Sequence, residues 1–209
     1  MQIATQDLNY LKQRLKEMKD EVKILFFKSS DCNFCKETRE ILNFLANLTP
    51  LIKIEEYDFK SKEAKENGIK LVPAIVLVNK SVKGKIRYFG VPAGYEFSTL
   101  LETLVAISKK ENELSKRGKE EIRKINKKVH IKVFVTPGCP YCAGTAKLAN
   151  FFAMENENII SDTIEVSEFP ELAEKYQVMS VPKVVINESV EFVGAIPEPF
   201  FILHLKNAI

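Results

Sequence analysis

A chain of 209 residues with 45% hydrophobic and 28% charged side chains can bury a sizeable core, so its composition excludes general disorder. The 31 basic residues set against 28 acidic ones leave a formal net charge of +3, too balanced to argue for a nucleic-acid surface. No apolar run approaches the roughly 18 residues of a membrane span, and Met1-Gln2-Ile3-Ala4-Thr5-Gln6-Asp7 lacks the basic and apolar regions of an export signal; the expectation is a cytoplasmic protein.

Leu8, Leu11, Leu15 and Met18 recur at helical spacing and predict an amphipathic opening helix. Residues 22–27 are a nearly continuous apolar run, the pattern of a strand buried on both faces of a parallel sheet. Cys32-Asn33-Phe34-Cys35 follows, then a predicted helix over 33–48 that Thr49-Pro50 stops. A strand is expected over 52–59, a short helix over 61–67, strands over 74–78 and 86–88, and a helix over 97–108. Residues 109–128 are almost all polar, yet Leu114, Ile122, Ile125 and Val129 form a stripe, which reads as a linker and then a helix whose first turn Gly118 weakens. The remaining pattern is strand 131–135, helix 140–154, strand 159–166, helix 169–176, strands 183–186 and 191–193, and helix 199–208.

The second series repeats the first. Cys139-Pro140-Tyr141-Cys142 follows Cys32-Asn33-Phe34-Cys35 by 107 residues, and at that offset Ile24 and Phe27 fall on Ile131 and Phe134. Downstream, the stretch from Gly68 to Val76 resembles that from Gln177 to Val185, including Val72-Pro73 and Val181-Pro182. Two units are a duplicated domain, since stacked solenoids need three or more. The fold class expected is α/β, two tandem domains over 1–110 and 111–209, each a mixed four- to five-stranded sheet flanked by helices.

The two pairs use all four cysteines of the chain. In a chain read as cytoplasmic, such pairs point to redox chemistry or metal binding before stabilising cross-links. Structural zinc needs four converging ligands, whereas these pairs lie in separate repeats and only His130 and His204 are at hand. His130 sits in a predicted strand and His204 in the last helix, where packing explains each; no metal and no cofactor are expected. Disulfide exchange needs an exposed thiolate, a resolving thiol and a surface for an extended substrate chain. Cys32 and Cys139, at helix starts where unpaired N–H groups favour thiolate, are the candidate attackers. Cys35 and Cys142, deeper in each helix, are the candidate resolving thiols. Pro73 and Pro182, 41 and 43 residues after the attackers, recur too regularly to be ordinary turns.

Strand, Cys-x-x-Cys, helix, then Val-Pro before a strand resembles the thioredoxin and glutaredoxin superfamily. The tandem is similar to the protein disulfide oxidoreductases of archaea and thermophilic bacteria, on residues 136–142, 89–97 and 192–198. That resemblance implies that Pro73 and Pro182 are cis, and that the backbone of Val72 and Val181 is free to pair with a substrate chain. Two departures matter. Thioredoxins carry a buried acid on the strand where this chain has Phe26 and Val133, and glutaredoxins a Gly-Gly-Asp segment that neither Gly90-Val91 nor Gly194-Ala195 repeats.

The reading is a thiol-disulfide oxidoreductase acting on protein dithiols and disulfides, with a thioredoxin reductase implied by the resemblance as electron donor. Two alternatives are a dedicated carrier to one acceptor such as a peroxidase, and a peptide-binding module with structural cysteines. Cys139 is expected to be the faster nucleophile, because Asp31 opposes thiolate formation beside Cys32 while Gly138 adds no charge and Pro140 fixes the helix start.

Overall fold

The computed structural model describes residues 5–209, with side chains from Leu8 onward. β1 (Val22–Lys28) is buried on both faces, as its continuous apolar run requires: Ile24 and Phe26 enter one core and Phe27 the other. It pairs in parallel with β2 (Ile52–Asp58) and antiparallel with β3 (Ala74–Val78), which pairs antiparallel with β4 (Lys85–Phe89). The second block repeats this with β5 (Val129–Val135), β6 (Ile159–Glu165), β7 (Lys183–Ile186) and β8 (Val190–Val193).

The two sheets are not separate. β4 pairs in parallel with β6, from Lys85 opposite Ile160 to Phe89 opposite Ile164, and the strands form one eight-stranded sheet in the order β2-β1-β3-β4-β6-β5-β7-β8. This corrects the expectation of one sheet per domain. An open edge strand exposes unpaired N–H and C=O groups, and joining β4 to β6 removes two such edges.

The CxxC helices α2 (Cys35–Leu48) and α6 (Pro140–Glu155) share one face of the sheet with α1 (Thr5–Leu15), α4 (Tyr95–Lys109), α5 (Lys116–Arg123) and α8 (Glu198–Asn207). The short α3 (Lys62–Asn67) and α7 (Pro170–Lys175) cover the other. Met18, Ile125 and Val129 fall outside their expected helices but remain buried beside them. Gly118 has a packing reason: a Cβ there would lie 1.9 Å from a carboxylate oxygen of Glu198, which accepts hydrogen bonds from the Ser115 N–H and hydroxyl. Among the described residues no helix is long and apolar enough to cross a membrane.

Polar groups fasten the seam on both faces. The Arg87 guanidinium on β4 donates to both carboxylate oxygens of Asp162 on β6, at 2.6 and 2.7 Å, and to the carbonyls of Asn67 and Gly68. The His130 ring contacts the same Asp162 at 2.5 Å, so packing and pairing account for it. On the helix face, Asn150 of α6 donates to the Tyr88 hydroxyl at 2.8 Å and accepts from Ser161 at 2.8 Å, and Tyr88 reaches Thr103 of α4 at 3.2 Å.

Removing one partner of a buried ion pair leaves the other charge uncompensated, at a cost of about 3 to 5 kcal/mol. Asp162→Ala should therefore lower unfolding free energy in chemical denaturation by that order. The double variant Arg87→Met/Asp162→Leu should lose much less, since it leaves no lone charge.

Candidate redox sites

Both cysteine pairs lie where a strand of the sheet runs into a helix, and the two starts differ. In the second block Cys139 is the N-cap of α6, Pro140 occupies its first turn, and the Cys139 sulfur accepts the N–H of Cys142 at 3.3 Å. Proline suits this position because its fixed φ is helical and its missing N–H would be unpaired anyway. In the first block the helix begins at Cys35, with Phe34 as N-cap and no side-chain cap, so the expected start at Asn33 is corrected. Asn33 has neither the fixed φ of Pro140 nor a capping role, and residues 33–34 form a turn.

Cys32 and Cys35 are joined as a disulfide, with Cα atoms 5.5 Å apart, while Cys139 and Cys142 are free thiols. In each pair the first cysteine is half-buried and the second buried, the gradient expected of attacker and resolver. Burial pushes the Cys142 thiol far above its usual range, and the neighbouring Cys139 and the charge of Glu96 push the same way.

Both of the expected prolines follow cis peptide bonds, Val72-Pro73 and Val181-Pro182. The Cys139 thiol donates to the Val181 carbonyl at 3.7 Å, which places the second proline loop against that sulfur. Tyr141 and Met179 stand exposed around the second site, at 69% and 92%, with Phe34 and the charged Lys70 at the equivalent places of the first. His204 of α8 stacks on Phe192 of β8, a packing role. Among the described residues no cluster of three or more His, Cys, Asp or Glu could hold a metal.

A thioredoxin domain family model matches residues 129–207. A crystal structure of a protein disulfide oxidoreductase from Aeropyrum pernix is 31% identical, superposes with a TM-score of 0.89, and covers all of this chain and 94% of its own. The chain belongs to the protein disulfide oxidoreductase family. The alkylhydroperoxide reductase component AhpF of Enterococcus faecalis shares the fold, with a TM-score of 0.90 at 23% identity over 98% of this chain. The alkyl hydroperoxide reductase component of the same type from Staphylococcus aureus is 23% identical over 177 residues, 85% of this chain; the chain spans about a third of the length of the curated relatives it matches, 32% in this case.

Sequence reasoning missed a residue that this oxidoreductase places at its second site. Glu96, in the first turn of α4, is 2% exposed and both its carboxyl oxygens lack a hydrogen-bond partner among the described residues. Burial pushes its pKa up to about 8, with the charge of Glu165 adding to the rise. The Thr99 hydroxyl, spent on the Tyr95 carbonyl, relieves it little. The loop carrying it is pressed on the second block: the Tyr95 N–H donates to the Pro137 carbonyl at 3.0 Å, and a Cβ on Gly94 would lie 2.2 Å from that oxygen. The first block thus brings a buried carboxyl near Cys142, in the half where the strand position Val133 carries none. A first-turn glutamate reads as a favourable helix-dipole acid, so only the fold reveals its burial.

A carboxyl whose folded pKa is raised from 4.5 to about 8 binds its proton more tightly in the folded state. Its contribution to stability is present below about pH 4.5 and is lost as pH rises through about 8. Melting temperature measured against pH should therefore show Glu96→Gln gaining steadily on the parent between about pH 4.5 and 8, with the gain level above about pH 8.

Proposed function

We propose that this protein reduces, forms or rearranges disulfides of protein substrates, with Cys32 and Cys139 as attacking thiolates and Cys35 and Cys142 as resolving thiols. The observation that carries the reading is the Cys139 sulfur held between the Cys142 N–H and the Val181 carbonyl, because a nucleophile there meets a substrate chain lying along the proline loop. In the reductive direction, Cys139 thiolate attacks a substrate disulfide; a sulfur–sulfur bond to Cys139 forms, and the first substrate sulfur leaves as thiolate and takes a proton. Cys142 then gives its proton to water and attacks the Cys139 sulfur. The second substrate sulfur leaves, and the pair holds the new disulfide. Two electrons pass to the substrate, and oxidation runs the same steps backwards. Cys32 and Cys35 act likewise.

Val72-Pro73 and Val181-Pro182 are the substrate-binding segments in this reading. The exposed Met179 and Tyr141 suit apolar stretches of a protein chain at the second site. Residues 1–110 and 111–209 are taken as duplicated thioredoxin-like units in a cytoplasmic protein. Electrons come from a thioredoxin reductase using a nicotinamide cofactor. The curated relatives, which are components of alkyl hydroperoxide reductase, favour a second reading, a carrier dedicated to one peroxidase.

Insulin reduction with dithiothreitol as the electron source tests the first reading. Cys32→Ser/Cys139→Ser should fall to the uncatalysed rate while each single variant keeps part of the activity. A chain that holds unfolded protein with all four cysteines changed to serine, yet accelerates no exchange, would instead be a binding module. A chain that reduces a peroxidase but not insulin would be the dedicated carrier.

The two sites should differ in rate. With resolving cysteines changed to serine, iodoacetamide near neutral pH should alkylate Cys139 faster than Cys32, since Pro140 and the capping contact hold the helix start behind its sulfur. Equal rates would show that this local geometry does not set reactivity.

A further inference from the structure

The second block answers Glu96 with a carboxyl of its own. α3 opens on Ser61, whose side chain caps it by accepting from Ala64 at 3.1 Å, but α7 opens on Phe169, which cannot cap. The polar side chain just ahead, Glu168, turns across the seam. One of its oxygens accepts the Val91 N–H at 2.7 Å, and a Cβ added to Gly90 would lie 3.2 Å from its carboxyl. Gly90 in turn donates to the carbonyl of Pro73 at 3.0 Å, so Glu168 reaches the turn that backs the proline loop of the first site.

The geometry points to Glu168 as a titrating positioning residue of the first redox site, contributed by the other half of the chain. This inference rests on the reading of Cys32 and Cys35 as an exchange site. Its first oxygen fixes the Val91 backbone beside the substrate segment Val72-Pro73, and its second is buried without a partner among the described residues. The charged groups that face it are Glu165, at the end of β6, and Glu37, in the first turn of α2 two residues beyond Cys35. Burial pushes its pKa up to about 7, the Val91 N–H opposes that rise, and the charges of Glu165 and Glu37 add to it. Below that pH the carboxyl is neutral. Above it a negative charge sits beside the first site and opposes the thiolate of Cys32.

The test uses the full chain with Cys32 as its one cysteine (Cys35→Ser, Cys139→Ser, Cys142→Ser) and follows iodoacetamide alkylation against pH. Glu168→Gln keeps an acceptor for Val91 but removes the charge. It should match the parent below about pH 6 and react up to about threefold faster at higher pH until the thiol is fully ionised, the size of effect expected for one partly screened charge nearby. Glu168→Ala should show the same gain over that range. In chains with Cys32 and Cys35 intact and the second pair changed to serine, only Glu168→Ala should raise KM for a disulfide peptide, because only it frees the Val91 N–H. Superimposed profiles, or one rate ratio held across the whole pH range, would overturn the proposal. Insulin reduction by the same chain tests the exchange reading separately, since alkylation of Cys32 does not depend on turnover.

Discussion

Parallel pairing of β4 with β6 sets Arg87 directly opposite Asp162, both nearly without solvent, and the union of the two halves depends on that pair being made. A buried ion pair is a weak source of net stability, because desolvating two charges offsets most of their attraction. Its effect is on register. One residue of slip would set Arg87 against Ser161 or Thr163, neither of which carries a charge, and would turn every side chain of the strand to the wrong face. His130 and the guanidinium hold Asp162 as the anion against its burial: burial is the largest single influence and raises its pKa, but hydrogen bonds from His130 and Arg87 together outweigh it and the net shift is downward.

Fixing that register places the loop after β4 between the two sites. Gly90 and Gly94 have positive φ, and each faces the second block at a distance no side chain would allow, one against Glu165 and the other against the Pro137 carbonyl. The same short loop then carries Val91 to Glu168 and Glu96 toward Cys142. A proton held on one carboxyl near the seam alters the field at the next, so the acid–base environment of each dithiol belongs partly to the other half.

The elements themselves were legible because apolar periodicity is a local property. The run at Val22 to Phe27, the repeat at 107 residues and the Val-Pro pairs are all written in the chain, and the strands and helices fall within a few residues of them. The joining of the sheets was not legible. Arg87 and Asp162 interrupt apolar strands, which signals a buried charge but does not say that each is the other's partner 75 residues away. Glu96 and Glu168 are harder still, since a glutamate at the start of a helix or in a turn looks like any solvated acid. Their burial is created by the opposing half. Where the expected start of α2 failed, the reason was local: Pro140 fixes its helix start, and Asn33 has no such constraint.

The way the two halves join also explains why the two acids come from different places. The halves join head to tail, with β4 and α4 of the first meeting β6 and α6 of the second, and a heterologous arrangement offers each such contact once. Six residues after Gly90 stands Glu96, buried at the seam; six after Gly194 stands Phe200, 59% exposed on α8. A carboxyl at that second position would meet solvent and act on no cysteine pair. Glu168, on the turn between β6 and α7, does look across the seam, to the Val91 N–H. Two sites of like sequence pattern thus stand in unlike environments.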